Sequence, residues 1–124
     1  MKRLVCIGFL LIFLLTACSE LEKPPNLSSP CYKIGINVLS ATDDYLDKKI
    51  SAAVAAAQIQ DLCRSLSKLP DELGSQDQQV KNYCEMLSYT IMLVADGDFL
   101  NEKEIINTRN SLATLLRQDT KLEN

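Results

Sequence analysis

Residues 77–95 read DQQVKNYCEMLSYTIMLVA, and their apolar side chains recur at intervals of three or four residues. The recurring positions are Val80, Tyr83, Cys84, Leu87, Ile91 and Val94. Because an α-helix turns once every 3.6 residues, these side chains share one face of a helix. A helix with one apolar stripe buries it against other elements, so this stretch predicts a helix inside a packed domain.

A second helix is predicted upstream, from Thr42 or Asp43 to Leu69. Thr42 can cap its start, and Pro70 ends it. Its interior, residues 51–58, reads SAAVAAAQ and is rich in alanine, the strongest helix former. Its apolar positions are Leu46, Ile50, Ala53, Ala57, Ile59, Leu62, Leu66 and Leu69.

A third helix is predicted after the turn at residues 96–98, with Asn101 as its cap and Glu104 three residues later. Residues 31–40 read CYKIGINVLS and alternate loosely, a strand pattern that has no partner strand. We therefore expect these residues to form an extended segment packed on the helices. The expected fold is an all-α, three-helix antiparallel bundle over residues 42–124.

The composition excludes several classes of function. The chain has 124 residues, enough for one domain, with 13 Lys and Arg against 16 Asp and Glu. Nucleic-acid binding depends on clustered Lys and Arg, so we expect no nucleic-acid partner. The chain has no His, the commonest general base and metal ligand. We expect neither an enzyme nor a bound cofactor or metal.

Five cysteines are present, and three of them, Cys31, Cys63 and Cys84, follow residue 18. Cys63 lies six residues before the predicted end of its helix, and Cys84 lies seven residues after the predicted start of the next. At about 1.5 Å per residue the two are level in an antiparallel hairpin. This favours a Cys63–Cys84 disulfide, with Cys31–Cys84 as the alternative.

The N-terminus is typical of an export signal. Met1-Lys2-Arg3 precedes a twelve-residue apolar run, residues 4–15, which is too short to cross a bilayer. The run leads into Leu15-Thr16-Ala17-Cys18, which resembles the lipobox of bacterial lipoproteins. The resemblance implies a diacylglyceryl group on the Cys18 thiol, cleavage before Cys18 and acylation of the new N-terminus, for instance by palmitate.

The lipobox divides the chain into a signal peptide, residues 1–17, a lipidated segment, residues 18–41, and the helical domain. Residues 20–30 contain three Pro and predict an extended spacer. In enteric-type bacteria, an Asp directly after the lipidated Cys resembles an inner-membrane retention signal. This chain has Ser19 at that position. For a source with an outer membrane, we expect a lipid anchor there, on the periplasmic side.

These features predict a protein-binding module held in the cell envelope, with another envelope protein as its partner. The layout resembles the small helical pilotins, which carry a secretin to the outer membrane. A comparable partner groove would be lined by Leu62, Leu66, Leu87 and Ile91.

The sequence is compatible with two alternative functions. One is an entry-exclusion or surface lipoprotein of a mobile element. The other is a metal- or stress-related helical protein, because residues 94–97 with Glu104 resemble the acidic turn of tellurite-resistance domains.

Overall fold

A computed structural model describes residues 23–69, 74–97 and 102–121, and in these residues all regular structure is helical. The helices are α1 (Ser29–Leu46), α2 (Ala52–Ser67), α3 (Ser75–Ala95) and α4 (Glu102–Leu115). The expected all-α class is therefore confirmed, whereas the expected three-helix count is wrong. The predicted signal peptide, Cys18 and the Asn101 cap lie outside the described residues.

Helix α1 replaces the extended segment predicted for residues 31–40. The Ser28 side chain accepts a hydrogen bond from the Cys31 N–H at 3.4 Å, and Pro30 lies in the first turn, where its missing donor costs nothing. The buried positions Cys31, Gly35, Val38 and Thr42 follow helical spacing. The helical domain therefore begins at Ser29 and not at Thr42.

The predicted helix from Thr42 to Leu69 is interrupted. Helix α1 ends at Leu46, and Lys48 takes a left-handed backbone conformation with φ 61°. The N–H of Lys49 then donates a hydrogen bond to the Asp44 carbonyl in the last turn of the helix, at 2.8 Å, and the helix ends there. The Ser51 side chain caps α2 by accepting from the Val54 N–H at 3.2 Å.

The predicted spacer is shorter than expected. Pro24 and Leu27 are buried, with Leu27 only 1% exposed, so the chain already packs on the helices from residue 24. Ser28 holds this segment against the helices because its N–H donates to the Asp77 carboxylate at 2.9 Å. This bond also shows that α1 and α3 begin at the same end of the domain.

Helices α1 and α3 form the centre of the fold. Among the described residues, α2 and α4 each pack against both central helices and not against each other. The Gln118 side chain after α4 lies 3.4 Å from the Tyr32 hydroxyl near the start of α1, so α4 runs opposite to α1. The described helices thus alternate in direction around one core.

Close packing depends on Gly35 in α1. A Cβ atom at this position would lie 2.9 Å from Cδ1 of Leu116, so any larger residue would force the buried Leu116 side chain to shift. The core is otherwise built of aliphatic side chains and two buried cysteines. Within the described ranges, none of the helices has the length and apolarity that a bilayer crossing requires.

Candidate functional site

The predicted partner groove is part of the hydrophobic core. Leu66 is 1% exposed, and Leu87 and Ile91 are fully buried, while Leu62 is partly buried against the same cluster. Helices α2 and α3 pack directly on each other, and Leu66, Leu87 and Ile91 belong to the shared core. The four residues therefore do not form one open groove: Leu66, Leu87 and Ile91 are core residues, whereas Leu62 borders a separate surface pocket between α1 and α2.

A different apolar surface faces outward on α3. Met86 is 48% exposed and Tyr89 is 64% exposed, and one turn separates them on the side away from the core. We name Met86 and Tyr89 the α3 outer face. Tyrosine and methionine are enriched in protein interfaces, and tyrosine supplies a large contact area with only two side-chain torsions to fix. This surface can bury apolar area against a partner without disturbing the core.

The three cysteines of the domain are free thiols that share one region of the core. Cys31 and Cys84 are fully buried, and Cys63 is half-buried. Burial raises the pKa of the Cys63 thiol to about 11 and raises the pKa of Cys84 further. A negative charge on Cys63 also raises the pKa of Cys84, and a charge on Cys31 raises it by less. Both cysteines therefore lie near Cys84. At neutral pH these thiols are protonated and poorly nucleophilic.

We expect oxidation of the purified chain by oxidised glutathione to join Cys63 to Cys84. Closing this loop of about 20 residues should stabilise the domain by about 3 kcal/mol. Cys31, Cys63 and Cys84 fall in different tryptic peptides, so non-reducing peptide mapping identifies the pair. A Cys31–Cys84 peptide, or none, would contradict the prediction.

The difference in stability between the oxidised and the reduced chain should be largest at alkaline pH. In the reduced chain the folded pKa of Cys63 is about 11, against an ordinary value of 9.0. The folded state keeps a proton that the unfolded state releases, so stability declines as the pH rises from 9 to 11. The Cys63–Cys84 disulfide removes both ionisable groups. Urea titrations at pH 7 and pH 10.5 measure the difference.

An ion pair between distant helices was missed from the sequence. The Arg109 guanidinium in α4 donates to both carboxylate oxygens of Asp43 in α1, at 2.9 and 3.0 Å. It also donates to the Asp119 carbonyl at 2.6 Å, and Lys121 lies 3.7 Å from Asp43. This cluster fixes the C-terminal segment along α1 and α4. The sequence predicts Asp43 at the start of a helix, whereas it lies near the end of α1.

The acidic turn that suggested a metal-related function is open to solvent where it is described. Asp96 and Glu104 are both exposed. In the part of the chain that the structure describes, no group of three or more His, Cys, Asp or Glu side chains is placed to hold a metal ion.

The described helices thus define a small all-α domain with a packed core, an outward apolar face on α3 and a cluster of core thiols. No protein-family model matches the chain, and searches of the curated proteins and of the solved structures find no similar protein.

Proposed function

We propose that this chain is a lipid-anchored protein of the bacterial cell envelope that binds another envelope protein through the α3 outer face. The observation that carries the proposal is the order of three features: a basic start, a twelve-residue apolar run, and Leu15-Thr16-Ala17-Cys18. Acylation of the Cys18 thiol and of the new N-terminus gives two or more acyl chains. One chain binds a membrane only marginally, whereas two or more hold a protein firmly.

The short distance from the anchor to the domain supports a role close to the membrane. Five residues separate Cys18 from Pro24, which is already buried against the helices. A fully extended chain of this length spans about 20 Å. The partner surface of an anchored domain therefore lies near the bilayer, where membrane-embedded assemblies expose their soluble ends.

The charge of the processed chain favours contact with protein over anionic lipid. Removal of Lys2 and Arg3 with the signal takes the net charge from −3 to −5. An acidic domain gains little from an anionic lipid surface. The exposed Met86 and Tyr89 side chains instead offer the apolar contact that an amphipathic helix of a partner buries. A pilotin-like accessory of a secretion or envelope assembly fits these properties.

Site-specific photo-crosslinking in the native envelope tests the proposal. A benzophenone amino acid at Tyr89 should give a discrete crosslinked product with one envelope protein. The matched control places the same group at Asn107, an exposed position of α4, and should not give that product. Substitution of Met86 with Ser should weaken the Tyr89 product, because it removes neighbouring apolar area from the same face.

The identity of the crosslinked protein decides between functions. A secretin or another ring-forming outer-membrane protein supports the pilotin-like function. A component of a conjugation apparatus would favour entry exclusion. Equal products from Tyr89 and Asn107 would contradict a specific partner surface on α3.

A further inference from the structure

The C-terminal half of α3 is apolar on two opposite sides. Its inner stripe, which includes Leu87 and Ile91, is fully buried in the core. The α3 outer face, Met86 and Tyr89, continues one turn further at Leu93, which is only partly buried and lies outside the set of side chains packed on the core. A helix that is apolar all round is normally buried all round. The described helices cover only the inner stripe, so the outer one is left without a covering element.

The spacing of the outer side chains fits another helix as the covering element. Met86, Tyr89 and Leu93 stand three and four residues apart, which is the repeat through which two helices interlock their side chains. The stripe they form is about 10 Å long, or two helical turns. The backbone groups inside α3 already bond to one another, so the helix offers no edge to which an extended strand could add.

An acidic residue stands next to each end of this stripe. Glu85 directly precedes Met86, Asp96 follows the last turn of α3, and both side chains are exposed. Neither carboxylate forms an ion pair with another residue of the described ranges. The nearest cation on α3 is Lys81, one turn before Glu85, and residues 51–60 of the neighbouring, antiparallel α2 carry no charge. The surface around the stripe is therefore acidic.

We propose that the α3 outer face, together with Leu93, binds a basic amphipathic helix of the partner protein. The apolar side of that helix packs over the stripe, and its flanking Lys or Arg side chains pair with Glu85 and Asp96. A second copy of this chain presents the same acidic residues, so it supplies like charges. The inference rests on the proposed function for the existence of a partner, and it adds the chemistry of the segment that binds.

The test uses the full chain held in phosphatidylcholine nanodiscs and two synthetic peptide helices of about five turns. Both peptides carry the same leucine stripe, flanked by Lys in one peptide and by Glu in the other. The methyl signal of Met86 in ¹³C NMR reports binding, and it is readily assigned because the chain has three Met. We expect half-saturation by the Lys peptide at a concentration about tenfold lower than by the Glu peptide, because two exposed charge pairs change from attraction to repulsion.

Neutralising the two acidic residues separates the charge from the apolar contact. The double variant Glu85→Gln with Asp96→Asn keeps the stripe, so the preference for the Lys peptide should fall from about tenfold to about twofold. The matched control is Asp44→Asn with Asp119→Asn. Asp44 lines the pocket between α1 and α2, and Asp119 lies against Arg109 of α4, so both are away from the α3 outer face. This control should keep the preference of the wild type.

Shortening Leu93 tests the apolar part of the contact. Leu93→Ala removes area at the end of the stripe and should weaken binding of the Lys peptide about tenfold. Ile106→Ala is the matched control, because Ile106 of α4 is also partly buried and also lies outside the set packed on the core. It should keep binding within about twofold of the wild type.

Three results would overturn the proposal: equal binding of the two peptides, tighter binding of the Glu peptide, or no binding of either. A Met86 signal that moves with the concentration of the chain alone would also overturn it, because a second copy would then occupy the face. The Tyr89 crosslink in the native envelope is scored separately. A crosslinked envelope protein together with equal peptide binding would retain the proposed function and reject the basic helix.

Discussion

Replacing Arg109 with Met should lower the free energy of unfolding by about 3 to 4 kcal/mol. The Arg109 side chain is 7% exposed, and Asp43 is 26% exposed, so most of this ion pair is removed from water. Breaking a buried pair by removing one partner typically costs about 3 to 5 kcal/mol, because the remaining charge has lost its counter-ion. Lys121 still lies near Asp43 and limits the loss. The Asp119 carbonyl also loses its donor.

Urea denaturation followed by helical circular dichroism measures this effect. The matched control is Arg64→Met, because Arg64 forms an ion pair with Asp61 in which the side chains are 68% and 72% exposed. Exposed ion pairs contribute less than about 1 kcal/mol, so the free energy of unfolding of Arg64→Met should stay close to that of the wild type. A similar midpoint for both variants would contradict a structural role for the Arg109–Asp43 pair. Arg109→Lys should also destabilise the chain, since a single ammonium group cannot reproduce the two-oxygen contact.

The sequence predicts α3 well because its apolar pattern has one interpretation. The stripe that includes Val80, Leu87 and Ile91 repeats at helical spacing over about four turns, and no proline interrupts it. The structure places α3 at Ser75–Ala95, within two residues of the predicted bounds. These three side chains are also fully buried, as expected for the inner face of a helix.

Helix α1 was missed because two periodicities overlap in residues 31–42. Ile34, Ile36 and Val38 alternate like a strand, yet Ile34 and Ile36 are only partly buried. The helical signal is carried by small and polar residues such as Gly35 and Thr42, which hydropathy alone does not count as apolar. Both are buried, and the Thr42 hydroxyl donates to the Val38 carbonyl at 2.8 Å within the helix.

The candidate sites were less predictable than the helices, and the reason is physical. Leucines at helical spacing serve a core and a partner groove equally well, so Leu66 and Leu87 could not be assigned to either from spacing. The Arg109–Asp43 pair joins residues 66 positions apart, and no local pattern encodes such a contact.

Replacing Cys18 with Ser should abolish lipidation and cleavage of the signal. The thiol sulfur is the atom that takes up the diacylglyceryl group in lipoproteins that carry a lipobox, and a serine hydroxyl is a much weaker nucleophile. The expected wild-type product lacks residues 1–17 and incorporates labelled palmitate. The Cys18→Ser chain should retain those residues and incorporate no label. Intact-mass measurement and metabolic labelling of the purified protein read out both effects.

Cys6→Ser is the matched control, since Cys6 is the other thiol of the N-terminal segment and lies inside the apolar run. It should be cleaved and labelled like the wild type. If Cys18→Ser is still processed and labelled, the anchor proposal is wrong. If Cys18→Ser loses the anchor and also the Tyr89 crosslink, partner binding requires the domain to be held within about 20 Å of the bilayer. The anchor would then act by raising the local concentration of the domain at its partner.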